Sequence, residues 1–125
     1  MPGILLYDDH LIIMENLLLI VSRDGMGSGP VELQTVLVIN FFKTLLKENQ
    51  APQNIFFYAD GVKLNTKGSE IEEELLELEK RGSSLVTCTT CLNFYNLATQ
   101  LASGRKGSMV DLVRLMSASG KVVTI

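Results

Sequence analysis

The chain has 125 residues, 46% hydrophobic and 20% charged, which suits one compact domain and excludes a multidomain enzyme or a disordered tail. Its 11 basic and 14 acidic residues give a net charge of −3, without the basic excess of a dedicated nucleic-acid binder. No apolar run approaches the roughly 20 residues of a membrane span, and a mean hydropathy of +0.24 is high for a small monomer, which points to a homo-oligomer.

Residues 1–16 form an N-terminal extension, read as a short hairpin, an added edge strand or a leader that precedes the domain. The extension lacks a basic n-region and a small-residue cleavage site, so no signal peptide is read and the chain is placed in the cytoplasm. His10, the single histidine, lies here and receives no catalytic role. The domain proper is 17–125. Leu17–Ser22 is a continuous apolar run, the pattern of a strand buried on both faces. A glycine-rich loop, Gly25–Gly29, leads to Pro30 at the first position of a helix that runs to about Glu48. Leu33, Val36, Leu37, Phe41 and Leu45 mark its apolar spacing, and Asn49–Pro52 break it.

Ile55–Ala59 is the second strand, turned by Asp60-Gly61. Ser69 and Glu72 have capping-box spacing at the start of a helix whose inner stripe is Ile71, Leu75 and Leu78. Six of the 14 acidic residues fall within Glu70–Glu79, the solvated face of that helix and not a metal site. Ser84–Thr87 is the third strand and runs straight into Cys88-Thr89-Thr90-Cys91. A helical turn, Leu92–Tyr95, ends at Asn96, and a second helical piece covers Ala98–Ala102. Gly104–Gly107 holds at most a very short strand. Ser108 and Asp111 cap a last helix with Val110, Val113 and Met116 inward, and Lys121–Ile125 is the terminal strand.

Strands alternating with helices define an α/β three-layer sandwich: a mainly parallel sheet of four or five strands with helices on both faces. The flavodoxin-like order 2-1-3-4-5 would open a crevice where strands one and three part, and would bring Arg23–Gly29 and Cys88–Cys91 together there.

Cys88 and Cys91 carry the chemistry. At a strand-to-helix junction, free backbone N–H groups favour a thiolate, and the same donors suit a persulfide or selenide anion. Cys88, closing the strand, is expected to point into the crevice as the more reactive thiol, with Cys91 partly buried. Thr89, Thr90, Gly27, Ser28 and Gly29 are the anion donors, with Arg23 and Lys63 as electrostatic support. Structural zinc wants four ligands, whereas two cysteines and one distant histidine are present. No metal and no cofactor are assigned. The pair also follows the third strand, where a thioredoxin-type pair follows the first strand of its core unit.

Several segments resemble the DsrE/DsrF-like family in order and spacing: Met26-Gly27-x-Gly29 with Glu32-Leu33, Phe57-Tyr58 with Asp60-Gly61-Val62-Lys63-Leu64, Gly68-Ser69, Cys88-x-x-Cys91-Leu92 and Ser108-Met109. Within it, the chain is most similar to the branch formed by the C-terminal domain of the selenium-metabolism protein YedF. The resemblance implies a sulfurtransferase-like carrier that binds sulfur or selenium as a persulfide on Cys88, resolved by Cys91, in a dimer- or trimer-based assembly. YedF proteins also carry a TusA-type sulfur-carrier domain that 1–16 is too short to be, so the chain is either a trimmed fragment or a stand-alone relative whose sulfur donor would be a separate protein. The competing reading is a non-catalytic module whose crevice binds an anion, a nucleotide or a flavin, or another subunit.

Overall fold

A computed structural model describes residues 12–125; the expectations for 1–11, His10 among them, lie outside the described residues. Five strands, β1 (Ile12–Val21), β2 (Gln50–Phe57), β3 (Ser84–Cys88), β4 (Arg105–Gly107) and β5 (Lys121–Thr124), form one sheet. Every pairing in it is parallel. The helices are α1 (Val31–Lys47), α2 (Glu72–Lys80), α3 (Thr89–Phe94) and α4 (Met109–Ala118), and a 3-10 helix, Ala59–Asn65, follows β2. The α/β sandwich with a parallel sheet expected from the alternation is the fold.

The strand order is β4-β3-β2-β1-β5, a correction to the expected 2-1-3-4-5. β2 lies between β1 and β3. Its Ile55, Phe56 and Phe57 are fully buried, and a run that is apolar on both faces belongs in the sheet interior and not at its edge. Strands β1 to β4 step in one direction, and β5 returns to the far side of β1. Right-handed crossovers therefore put α1, α2 and α3 on one face and α4 on the other. The order reverses between β1 and β5, so no crevice opens between β1 and β3.

Local differences follow from backbone geometry. β1 begins at Ile12, ahead of the expected Leu17, and its pairing with β2 shifts register between Met14 and Leu18. Asn49, at a φ of 55°, makes the turn after α1 alone, so Gln50-Ala51-Pro52 joins β2 instead of forming a break. Pro52 costs no ladder bond on the β3 side, because that pairing starts at Asn54. Residues 98–102 are not helical; Leu101 instead forms an antiparallel bridge with Thr66. The Ser108–Asp111 capping box is present, with Val110 N–H donating to Ser108 Oγ at 3.2 Å and Ser108 N–H to Asp111 Oδ2 at 2.8 Å. At α2 the Glu72 carboxylate accepts from Gly68 N–H (2.7 Å) instead of Ser69, so that box is not formed as expected.

Two helices carry apolar residues outward, and in α4 these are the residues expected to face inward. In α1, Leu33, Val36 and Leu37 are exposed, and Val38, Phe42 and Leu45 are buried. In α4, Val110, Val113 and Met116 are exposed and Leu112 is buried. Both helices carry apolar residues around more than one face, so helical period alone does not choose the face that meets the sheet.

Candidate functional site

β3 delivers Cys88 to the N-cap of α3 and places Cys91 three residues later in its first turn. N-cap and N3 side chains lie on the same side of a helix start, the spacing on which a capping box depends. Both thiols are free. Cys88 is only 1% exposed and joins the core beside Val86. β4 runs alongside, with Gly107 opposite Cys88. The expectation that Cys88 points into an open crevice is thereby corrected; its side chain faces the packed interior. Cys91 is half-buried and is the thiol that solvent reaches.

A backbone donor sits on that thiol. Ala59 N–H donates to Cys91 Sγ at 3.1 Å. Ala59 has a φ of 53°, an uncommon left-handed conformation for a residue with a side chain, as the chain leaves β2 for the 3-10 helix. Burial pushes the Cys91 thiol above its ordinary pKa; the Ala59 N–H opposes that, and the neighbouring Cys88 thiol adds to it.

Charged and aromatic groups gather around Tyr95, on the same helix as Cys91. Tyr95, at the C-cap of α3, donates its hydroxyl to Asp60 Oδ1. Lys63 pairs with the same Asp60 oxygen at 3.2 Å and stacks over the Tyr95 ring, 4.4 Å from its centre. The Tyr95 hydroxyl first, then Lys63, hold the Asp60 carboxyl below the usual carboxylate value. Asp60 in turn raises both the Lys63 ammonium and the Tyr95 hydroxyl. Phe94, 78% exposed, packs edge-on against Tyr95 with ring centres 5.2 Å apart.

The 3-10 helix is held tightly. Tyr58 N–H donates to Val21 O at 3.1 Å, and a methyl group on Gly61 would overlap that carbonyl oxygen. At its other end Asn65, fully buried, donates to Thr87 Oγ1 (2.9 Å) and Ser103 O (3.0 Å) and accepts from Ser103 Oγ (2.7 Å). This network ties the segment that carries Ala59 and Lys63 to the residue before Cys88.

Among the residues expected at the site, α3 assembles Cys88, Thr89, Thr90 and Cys91, and the 3-10 helix brings Lys63. The loop carrying Arg23, Gly27, Ser28 and Gly29 follows β1. β2 and its 3-10 helix stand between that loop and the cysteines, so the expected meeting of the two loops is corrected. Arg23 donates to Gly27 O within its own loop, and Gly29 O accepts from Gln34 Nε2 at 2.7 Å. Sequence reasoning missed Ala59, Asp60 and Tyr95: the first two read as a strand end and a turn, the third as the end of a helical turn. A hollow of about 410 Å³, lined by Glu79, Ser83, Ser84, Leu85, Gly104 and Arg105, lies at the opposite end of β3. Of the two thiols, only Cys91 reaches the surface; Cys88 is buried.

Fold and site thus define a parallel α/β protein with two thiols at the end of its third strand. The profile of the DsrE/DsrF-like family matches residues 17–125, and the chain belongs to that family. Solved structures share the fold: YchN from E. coli, at 21% identity and a TM-score of 0.63, covers 90% of this chain and 100% of its own. MTH1491 from Methanobacterium thermoautotrophicum, a protein of unknown function, has 17% identity and a TM-score of 0.65 over 87% of this chain and 97% of its own. BT1422 from Bacteroides thetaiotaomicron, at 16% identity and a TM-score of 0.60, covers 88% and 95%. No curated protein matches the sequence. Among the described residues, no helix is long and apolar enough to cross a membrane.

Proposed function

We propose that the chain is a sulfurtransferase-like carrier, holding sulfur, or selenium by the same chemistry, as a persulfide on its strand-end thiol pair. The supporting observation is Cys91: a half-open thiol that receives a backbone N–H and lies against a second thiol. The Cys91 sulfur, as its thiolate, attacks the terminal sulfur of a donor persulfide. A new S–S bond forms on Cys91, the donor's S–S bond breaks, and the donor leaves as a thiolate. The burial of Cys88 supports Cys91 as the loading thiol in this reading, where the family resemblance put that role on Cys88. Ala59 N–H and the Lys63 ammonium act as the anion support. Thr89 and Thr90 border the pair, and the Gly27–Gly29 loop stands apart from it.

The donor in this reading is a separate sulfur-carrier protein. An open site flanked by the exposed Phe94 ring suits a macromolecular partner better than a small one. The outward stripes of α1 and α4 support a homo-oligomer, and the free thiols suit the reducing cytoplasm. A second thiol at this position accords with the YedF-like branch.

Treatment of the reduced protein with thiosulfate and a rhodanese, followed by peptide mass spectrometry, tests the proposal. One added sulfur on the peptide containing Cys91, lost in Cys91→Ser, is the expected result. A protein that never gains sulfur and purifies with a bound flavin or nucleotide would establish the competing ligand-binding module.

A further inference from the structure

The two thiols differ in a way that gives them different tasks. Cys91 meets solvent, whereas Cys88 is sealed by β3, β4 and the core, so an external acceptor cannot reach it. The N-cap and N3 positions put the thiols on one side of the helix start. A sulfur loaded on Cys91 therefore has its outer atom toward the surface, and its inner atom, Cys91 Sγ, next to Cys88.

We infer that the pair discharges its own cargo: the Cys88 thiol attacks the inner sulfur of the Cys91 persulfide, releasing the outer sulfur as hydrogen sulfide and leaving a Cys88–Cys91 disulfide. This rests on the carrier reading. The atoms and electrons balance within the protein. The Cys88–Cys91 S–S bond forms and the persulfide S–S bond breaks. The outer sulfur leaves with the electron pair of the broken bond and takes up the Cys88 proton. The two cysteine thiols are oxidised to the disulfide, and the persulfide sulfur is reduced to sulfide. A selenium cargo would leave as hydrogen selenide by the same step. Each new cycle then requires a dithiol reductant to reopen the disulfide. The protein so described is a source of free sulfide or selenide, coupled to the thiol pool, and not only a relay to another cysteine.

The experiment loads the reduced full chain with a small persulfide donor, removes excess reagent, and follows intact mass and released sulfide over time. Wild type should first gain one sulfur atom, then lose it and two hydrogens as sulfide appears in equal amount. Cys88→Ser should load, keep its sulfur and lose sulfide release. Circular dichroism checks its fold, and Cys88→Ala serves as a second variant. Wild type that holds its persulfide as long as Cys88→Ser overturns the discharge while leaving the carrier standing. Loading of Cys91→Ser in place of Cys88→Ser overturns the assignment of tasks. No sulfur gain in wild type or either Cys88 variant removes the carrier reading itself.

Discussion

Asn65→Ala offers the sharpest test of how the site is held. Three hydrogen bonds meet on this fully buried side chain, to Thr87 Oγ1, Ser103 O and Ser103 Oγ at 2.9, 3.0 and 2.7 Å. Truncation leaves those partners unpaired in a dry interior, at a cost of about 1–3 kcal/mol for each group that finds no substitute. Water entering the vacated space recovers part of this, which leaves a net loss of about 3 kcal/mol. For a domain of this size that is a fall in Tm of about 12 °C. Urea unfolding should show a lower midpoint with an unchanged slope. Ser103→Ala deletes only one of the three bonds and should cost about 1 kcal/mol. In a double-mutant cycle the two should be less than additive, because they share that bond. Labelling of Cys88 by iodoacetamide should also accelerate in Asn65→Ala, since Thr87 immediately precedes it on β3. A loss below about 1 kcal/mol for Asn65→Ala, with Cys88 still protected, would refute the idea that this network fixes the strand end.

Cys91 alkylation should keep climbing with pH beyond the ordinary thiol range, because burial raises its pKa above that range. The linked stability is fully present below the ordinary thiol pKa and is lost as pH rises through the raised folded value; a midpoint in urea that improved across that window would contradict this. Tyr95→Phe removes the largest influence lowering the Asp60 carboxyl, so its NMR titration should move toward the ordinary carboxylate value, and no movement would count against the hydroxyl contact. Gly61→Ala should destabilise the fold by about 2 kcal/mol or more in chemical denaturation, as its methyl group overlaps the Val21 carbonyl oxygen. Val113→Glu and Met116→Glu, on the outward stripe of α4, should lower the sedimentation mass without altering circular dichroism; an unchanged mass would show that this stripe is not the contact between copies.

Four of the five strands were legible in the sequence as apolar runs closed by turn residues, whereas β4, Arg105-Lys106-Gly107, has no apolar residue to mark it. The neighbours of each strand were less legible. Alternation dictates parallel pairing but leaves open on which side the third strand adds. The clue was β2: Ile55-Phe56-Phe57 has no polar face and cannot sit at an edge. The cysteine pair was found from spacing alone. Its polarity was not, because Leu85 to Cys88 are all buried in β3, and the burial of Cys88 depends on β4, which arrives later in the chain. The Ala59 donor was out of reach, since nothing in Tyr58-Ala59-Asp60 marks a left-handed alanine. The outward stripe of α4 misled for a physical reason: a helix with apolar residues around more than one face does not reveal by period alone which face meets the sheet.

The pairing of β5 with β1 sets the kinetics of assembly. Ser22 Oγ donates to Ile125 O across 103 residues, and Leu17–Ile20 lie against Lys121–Thr124. One flank of the most hydrophobic strand therefore stays bare until the last strand arrives. Contacts of such sequence separation carry a high loop-closure entropy and form late. During synthesis Leu17-Leu18-Leu19-Ile20-Val21 would wait, half-paired, as an open template for other chains. Deleting the residues after Gly120 should make that interval permanent, and yield should then be limited by aggregation on the β1 flank while the thiol pair, at the far side of β2, remains chemically intact.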